Sequence, residues 1–158
     1  MSRRSTAARR PRTKRDEGFF GVPRPLTRKQ VQDIIRRKQN LTNRDLRGVD
    51  LSGISFDGVD LREAKLAEAN LGRCSFRGAD LRGASMWQAN LQDAVLDDAN
   101  LEETDFDMAN LDGTSFQSAR IRKAIFPFQQ KVLPQIEESV KSGRKISMPR
   151  SIFQDEDC

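Results

Sequence analysis

Residues 79–103 read ADLRG ASMWQ ANLQD AVLDD ANLEE when they are divided into fives, and the same period runs from Asn40 to Phe126. In this stretch every fifth residue is large and apolar. These residues are Leu41, Leu46, Leu51, Phe56, Leu61, Leu66, Leu71, Phe76, Leu81, Met86, Leu91, Leu96, Leu101, Phe106, Leu111, Phe116, Ile121 and Phe126. From Val49 on, the residue two positions earlier is small or of modest size, and it is usually Ala. A period of five fits neither the helix period of 3.6 nor the strand period of 2, so the stretch is a structural repeat.

Four fives complete one turn of the repeat, because the residues fall into consistent columns when the sequence is read in steps of twenty. Phenylalanine is confined to two opposite columns: Phe56, Phe76 and Phe116, and Phe106 and Phe126. A five-residue unit cannot bury its own apolar side chain and has to stack on copies of itself. The columns therefore predict a four-sided coil with rings and aliphatic side chains alternating inside it.

One column that precedes the large residues holds an acid and three amides: Asp50, Asn70, Asn90 and Asn110. Stacked amides can form a hydrogen-bonded ladder along one edge of a β structure. The alternative is that these are ordinary turn residues exposed to water. The sequence leaves both interpretations open.

The motif A(D/N)LXX, as in Ala69-Asn70-Leu71 and Ala99-Asn100-Leu101, resembles the motif of the pentapeptide-repeat family. The resemblance covers eighteen consecutive fives. It implies an all-β solenoid, a right-handed quadrilateral β-helix whose walls are short strands or bridges. Eighteen fives would make about four and a half coils, a prism about 20 Å long at about 4.8 Å per layer.

The segments on either side of the repeat at residues 40–126 are predicted to cover its ends. Residues 27–39 are expected to form an N-terminal capping helix with Thr27 as its N-cap. Residues 127–158 are expected to form a second capping helix, from Pro134 to Ser142, and a tail. Uncovered ends would expose apolar surface and strand edges and permit end-to-end self-association.

Residues 1–26 are predicted to be a disordered basic arm, because they contain too little apolar surface to fold alone. Seven basic residues precede its first acid: Arg3, Arg4, Arg9, Arg10, Arg12, Lys14 and Arg15. We consider three roles: binding of an anionic partner or nucleic acid through residues 1–15, organellar targeting, and docking on a protein through Phe19 and Phe20. No secretory signal and no transmembrane segment is predicted.

The net charge of +5 conceals an uneven distribution. The stretch from Gly83 to Asp112 has no Lys or Arg, and its eight acids define what we call the acidic collar. These acids are Asp93, Asp97, Asp98, Glu102, Glu103, Asp105, Asp107 and Asp112. They fall on all four walls of the predicted coil. The collar either binds a basic partner or keeps a β structure soluble.

The composition argues against an enzyme. The chain has no His, the side chain most used for proton transfer near neutral pH, and no Tyr. Cys74 takes an inward position that elsewhere holds Ala, and Cys158 is terminal, so neither a disulfide framework nor a metal site is predicted. No cofactor is predicted either. Two such cysteines fit a reducing compartment, and we expect a cytoplasmic location, or an organellar one if residues 1–15 are a targeting segment.

Trp87 follows the inward Met86 and is therefore predicted to point outward, with Met108 diagonally near it on the next coil. An exposed Trp is a typical interface anchor. The alternative is that a terminal segment packs over it.

These features predict a non-catalytic protein-interaction or assembly scaffold, a rigid prism whose basic arm docks on an anionic partner or a larger multi-subunit complex. The resemblance also implies an alternative, a DNA-mimicking regulator of a type II topoisomerase, since some pentapeptide-repeat proteins look like duplex DNA and bind such enzymes. That role calls for a long acidic track, whereas this prism is short and its acids form a collar.

Overall fold

Parallel backbone bridges between residues twenty positions apart organise the computed structural model, which describes residues 24–127 and 129–148. The ladder runs from the Asp45–Lys65 bridge to the Asp105–Ile125 bridge. Within the described residues each wall is made of single-residue bridges and contains no longer strand. Four fives therefore make one coil of a four-sided β-helix, as the sequence predicts.

The four walls are named here by their first inward residue, and each wall recurs every twenty residues. Leu41 begins wall 1, Leu46 begins wall 2, Leu51 begins wall 3 and Phe56 begins wall 4. The large inward side chains form the core, and they are buried on every coil except at Ile121, which is half-buried near the end of the repeat.

The rings inside the coil stack at the spacing of the layers. The centroids of Phe56 and Phe76 are 4.9 Å apart, and those of Phe106 and Phe126 are 5.3 Å apart, in both cases with parallel planes. Phe116, on the opposite wall, meets Phe106 edge-to-face at 6.2 Å. Confining rings to two opposite walls thus lets them stack along the axis and interlock across it.

Some of the small inward positions hold a polar side chain. Its donor group forms a hydrogen bond with a backbone carbonyl of the preceding coil. The hydroxyl of Thr104 donates to the carbonyl of Leu81 at 2.8 Å, and the hydroxyl of Thr114 donates to that of Leu91 at 2.9 Å. The thiol of Cys74 lies 3.1 Å from the carbonyl of Leu51 in the same way. These buried groups are therefore satisfied.

The chain turns each corner through the fifth residue of a five, whose backbone is left-handed. Gly48 and Gly53 have φ values of 67° and 72°. Glycine takes this conformation without a steric cost, whereas a side-chain-bearing residue pays for it. Glu63, at φ 60°, and Met108, at φ 59°, are among the residues that take it nonetheless.

Helix α1 spans Arg28–Arg36. Thr27 is its N-cap and forms a capping box with Gln30, in which the Thr27 hydroxyl accepts from the Gln30 amide and the Gln30 side chain accepts from the Thr27 amide. Val31 is fully buried against the first coil, and Ile34 packs beside it.

Helix α2 spans Gln129–Ser142 and has Pro134 in its interior. The expected start at Pro134 is therefore wrong by five residues. The helix is long enough to place Val132 and Ile136 one turn apart on one face, and both are fully buried. The free energy gained by burying this face outweighs the free energy lost with the backbone hydrogen bond that a proline within a helix removes.

The chain returns to the repeat after α2. The amide of Ile146 donates to the carbonyl of Thr114 at 2.9 Å, and the carbonyl of Ile146 accepts from the amide of Gly113 at 2.8 Å. Ile146 is buried. This segment shows no period in the sequence, yet it pairs with the corner between walls 3 and 4.

Candidate interaction surface

Wall 2 carries three large apolar side chains that are exposed in the described part of the chain. Trp87 is 38% exposed, Met108 is 48% exposed and Ile125 is 46% exposed. Elsewhere in that part, large apolar side chains are buried or half-buried. We call these three residues the wall-2 strip.

The register of the bridges places the strip on successive coils. Ser85 is bridged to Asp105, and Asp105 is bridged to Ile125, so Ile125 lies two layers beyond the five that holds Trp87. Met108 belongs to the layer between them. At about 4.8 Å per layer the strip extends about 10 Å along the prism axis.

The burial of the inward residues on wall 2 determines that the strip faces solvent. Met86 and Phe106 are fully buried on wall 2, so the residues that follow each of them have to face solvent at the corner. The carbonyl of Trp87 accepts from the amide of Glu68 at 2.8 Å, which ties its backbone to the preceding coil. The exposure of Trp87 and Met108 is thus a consequence of register and not of a loose loop.

The acidic collar does not form one surface. Its acids lie on all four walls, and several have structural partners. Asp112 accepts from the amide of Met148 at 3.0 Å, and Asp97 accepts from the amide of Gln117 at the same distance. Glu102 pairs with Arg122 at 3.4 Å, and Glu103 pairs with Lys123 at 3.6 Å.

Two collar acids border the wall-2 strip. Asp105 lies in the same column as Ile125, and its carboxylate accepts from the amide of Asp107 at 2.9 Å. Asp107 is exposed between the columns of Asp105 and Met108. The remaining collar acids, Asp93 and Asp98, occupy left-handed corners of walls 3 and 4.

Wall 3 carries the amide ladder that was one of two expectations for its column. The side-chain amide of Asn70 donates to Asp50 at 3.2 Å, Asn90 donates to Asn70 at 3.2 Å, and Asn110 donates to Asn90 at 3.4 Å. Each acceptor oxygen also accepts from the backbone amide two residues further on. The side-chain oxygen of Asn70, for example, accepts from the amide of Gly72 at 3.2 Å. Because its donors and acceptors are used along the wall, the ladder serves the fold.

Asp–Arg pairs two residues apart brace walls 1 and 2. Arg62 donates to both oxygens of Asp60, at 2.9 and 2.8 Å, and Arg82 makes the same pair with Asp80. The hydrogen bonds from Arg62 lower the pKa of Asp60 from 3.8 to about 2. These carboxylates therefore remain ionised and paired at neutral pH.

The described residues offer little reactive chemistry. No group of three metal-ligating side chains lies together within residues 24–127 and 129–148. Burial raises the pKa of the Cys74 thiol to about 11, so it is not a thiolate at neutral pH. None of the helices described here is long and apolar enough to cross a membrane.

Nine of the predicted partner-binding residues lie outside the described residues: Arg3, Arg4, Arg9, Arg10, Arg12, Lys14, Arg15, Phe19 and Phe20. The same holds for most of the predicted disordered arm, residues 1–26, and for the end of the tail. Their roles stay predictions.

Sequence reasoning missed two parts of wall 2. Ile125 was not singled out, although its column, which begins with Asp45, places it outside the coil. The predicted arm, residues 1–26, includes Leu26, but Leu26 lies twenty residues before Leu46 and its amide donates to the carbonyl of Asp45 at 2.8 Å. Reading the step of twenty backwards from Leu46 would have found it.

Comparison of this chain with known protein families gives a match. The family described as "Pentapeptide repeat region" matches residues 49–126. The comparison with curated proteins gives no match.

Three solved structures are similar to this one. A pentapeptide repeat protein from the Arabidopsis thaliana thylakoid lumen is 36% identical with a TM-score of 0.50, over 51% of this chain and 55% of that one. HetL, a pentapeptide repeat protein of the cyanobacterium Nostoc involved in heterocyst differentiation regulation, is 28% identical with a TM-score of 0.51, over 60% of this chain and 48% of HetL. Another Nostoc pentapeptide repeat protein is 30% identical with a TM-score of 0.56, over 72% of this chain and 96% of that one.

The present chain thus spans about half the length of the first two proteins and nearly all of the third. The likeness implies that the four-sided coil is a right-handed quadrilateral β-helix, as expected from the repeat.

Proposed function

As this chain belongs to the pentapeptide repeat family, we propose that it is a non-catalytic protein-interaction scaffold, a rigid prism that holds a partner protein against wall 2. The prism has about four and a half coils, the length that eighteen fives give. Its basic arm, residues 1–26, docks on an anionic part of the partner or of a larger assembly.

Two helices cap the prism and keep copies from stacking end to end. The burial of Val31 of α1 at the first coil supports this role, as does the burial of Val132 and Ile136 of α2 at the last. Repeat stacks need such end units because their terminal coils otherwise expose apolar surface. The walls, and not the ends, are then the surfaces left for partners.

The observation that carries the proposal is the wall-2 strip. Trp87, Met108 and Ile125 lie on one wall within about 10 Å, on a backbone that the inter-coil bridges fix. A rigid wall loses little conformational entropy when a partner binds it. Trp is enriched among residues that dominate binding energy, and Met adapts to irregular apolar surfaces.

The surroundings of the strip define the partner. Asp105 and Asp107 border the apolar side chains, so the matching surface combines apolar side chains with Lys or Arg at its rim. Rim charges of this kind steer association and select partners more than they add affinity. We therefore place a protein with an apolar patch and a basic rim on wall 2.

Site-specific photo-crosslinking tests this assignment. A photoreactive phenylalanine in place of Met108 should crosslink one protein in the native cells of this chain. The same residue in place of Ser118 is the matched control, because Ser118 is also an exposed left-handed corner, at φ 57°, but lies on wall 4.

The second step measures the affinity of this chain for the purified partner that the crosslinking identifies. Trp87→Ala should weaken this affinity by about thirtyfold, the equivalent of about 2 kcal/mol for a central anchor. Equal crosslinking from positions 108 and 118, or unchanged affinity of the Trp87→Ala variant, would contradict the proposal.

The alternative function, a DNA-mimicking regulator of a type II topoisomerase, has less support. The acids of the collar lie on all four walls, and five of them have partners within the prism: Asp97, Glu102, Glu103, Asp105 and Asp112. Inhibition of gyrase supercoiling by the full chain, undiminished in the Trp87→Ala variant, would favour the alternative.

A further inference from the structure

We infer that the N-terminal end of wall 2 binds the phosphodiester backbone of a nucleic acid through Arg24, Arg44 and Lys65. This inference deepens the proposed function by naming the ligand class of its anionic partner, and it rests on that function's claim that the basic end of the chain docks on an anion. It differs from the prediction that residues 1–15 bind nucleic acid, because it places part of the site on the folded prism.

The site is a groove of about 450 Å³ at the N-terminal end of wall 2. Four cationic side chains line it: Arg24, Arg44, Arg47 and Lys65. Among the described residues that line the groove, Asp45 is the one acid and Leu26 is the one apolar side chain.

Backbone hydrogen bonds fix the positions of these cations. The amide of Lys65 donates to the carbonyl of Arg44 at 2.9 Å, which ties the second layer to the first. The amide of Leu26 donates to the carbonyl of Asp45 at 2.8 Å, which places the segment containing Arg24 one layer above. The cations therefore project from three consecutive layers of a rigid ladder.

The acid in the groove is already neutralised. Arg47 donates to both carboxylate oxygens of Asp45, at 2.9 and 2.7 Å. The charge of Lys65 also acts on Asp45, and that of Glu68 on Arg47. Arg24, Arg44 and Lys65 form no ion pair with any described residue. Three exposed cations thus remain available for an anion.

The charge pattern favours a polyanion that lies at this end of the prism. The coils from Gly83 to Asp112 have eight acids and no cation, so they repel a polyanion that extends toward them. Residues 1–15, which precede Arg24 in the sequence, carry seven further cations. Attraction and repulsion together restrict the polyanion to the N-terminal end.

Phosphate fits this groove better than an acidic protein does. The guanidinium groups of Arg24 and Arg44 match the geometry of phosphate oxygens. An acidic protein surface would also need apolar contacts, and the groove offers little besides the half-buried Leu26. Recognition of the backbone alone predicts weak sequence preference.

Fluorescence anisotropy with the full chain tests the site. The probes are labelled single strands of RNA and of DNA of about 20 nucleotides, titrated between about 50 and 200 mM salt. The test variant is Arg44→Gln/Lys65→Gln. The control variant, Arg122→Gln/Lys123→Gln, makes the same change in net charge on the last coil of wall 1.

The test variant should bind both strands about tenfold more weakly at the low-salt end. The slope of log affinity against log salt should fall by about 1.4, since each lost phosphate contact on a single strand removes about 0.7. The control variant should change neither quantity. Arg44→Lys should retain most of the affinity, because it keeps the charge, and circular dichroism should show the same melting for all variants.

Three results would overturn the inference. Unchanged affinity of the test variant would assign all binding to residues 1–15. An equal loss in both double variants would mean that only net charge matters. Equally tight binding of a poly-glutamate chain, weakened by the same substitutions, would identify an acidic protein as the ligand. None of these results bears on wall-2 crosslinking, so the proposed function is tested separately.

Discussion

The backbone amide of Leu26 donates to the carbonyl of Asp45 at 2.8 Å, and this bond repeats, one layer earlier, the bond from Leu46 to Lys65. Leu26 thus adds a rung to wall 2 ahead of the repeat. Helix α1 follows this rung, and its Val31 is fully buried. Wall 2 is therefore continuous from Leu26 to Phe126, and it carries both the basic groove and the wall-2 strip.

Hydrogen exchange should report this extra rung. The amide of Leu26 has a backbone acceptor, so we expect it to exchange at least tenfold more slowly than the amide of Lys29. Lys29 lies in the first turn of α1, where amides have no intrahelical acceptor. Exchange of Leu26 as fast as that of Lys29 would show that the rung does not form in solution.

The core positions follow from the sequence because register and burial are coupled in a repeat. An inward residue such as Leu91 has one environment on every coil, so its burial can be predicted from the period alone. The start of α2 at Gln129 could not be predicted in this way. It depends on packing across the end of the stack, where the burial of Val132 and Ile136 outweighs the local preference of Pro134 to begin a helix.

Replacement of a central inward residue tests the register. Leu91→Asp would bury an unpaired carboxylate, at a cost comparable to the whole stability of a domain this size. We expect loss of the cooperative thermal transition in circular dichroism. The matched control is Gln92→Asp, one residue on and exposed, which should melt within a few degrees of the wild type. A cooperatively folded Leu91→Asp protein would contradict the inward assignment.

Met108 adopts a left-handed φ of 59° although it is exposed. Glycine takes this conformation without the steric cost, so Met108→Gly should stabilise the prism by about 0.5–1 kcal/mol in chemical denaturation. Ser118→Gly, at φ 57°, should give a similar gain. Destabilisation by Met108→Gly alone would mean that the Met108 side chain packs against the fold and is not free for a partner.

Acid should weaken the brace between Asp60 and Arg62. The pKa of Asp60 is lowered from 3.8 to about 2, mainly by hydrogen bonds from Arg62. Its contribution to stability is therefore complete above pH 3.8 and is lost as the pH falls toward 2. In Asp60→Asn this contribution is absent, so its melting temperature should fall less steeply over that range.

Arg62→Gln removes the donor that lowers the pKa of Asp60, and it should flatten the same part of the profile. An Asp60→Asn protein with the wild-type steepness below pH 3.8 would show that the pair contributes nothing to acid stability.

The candidate surface was predictable only in part. The outward position of Trp87 follows from the buried Met86 before it. The groove was not predictable, because Arg24 belongs to a segment without the period and Asp45 is neutralised by a local pair with Arg47 that the sequence does not reveal. Charge counts along the chain locate basic segments but do not show which cations remain unpaired after folding.

The central claim, that wall 2 presents an open apolar surface, can be measured directly because Trp87 is the single tryptophan of the chain. Its emission in the isolated full-length protein should be red-shifted, and acrylamide, a neutral quencher that Asp105 and Asp107 do not repel, should quench it nearly as well as in the denatured chain. Addition of the wall-2 partner should shift the emission to the blue. Blue-shifted, protected emission from the isolated protein would instead show that a terminal segment of the chain covers Trp87, and would contradict the account.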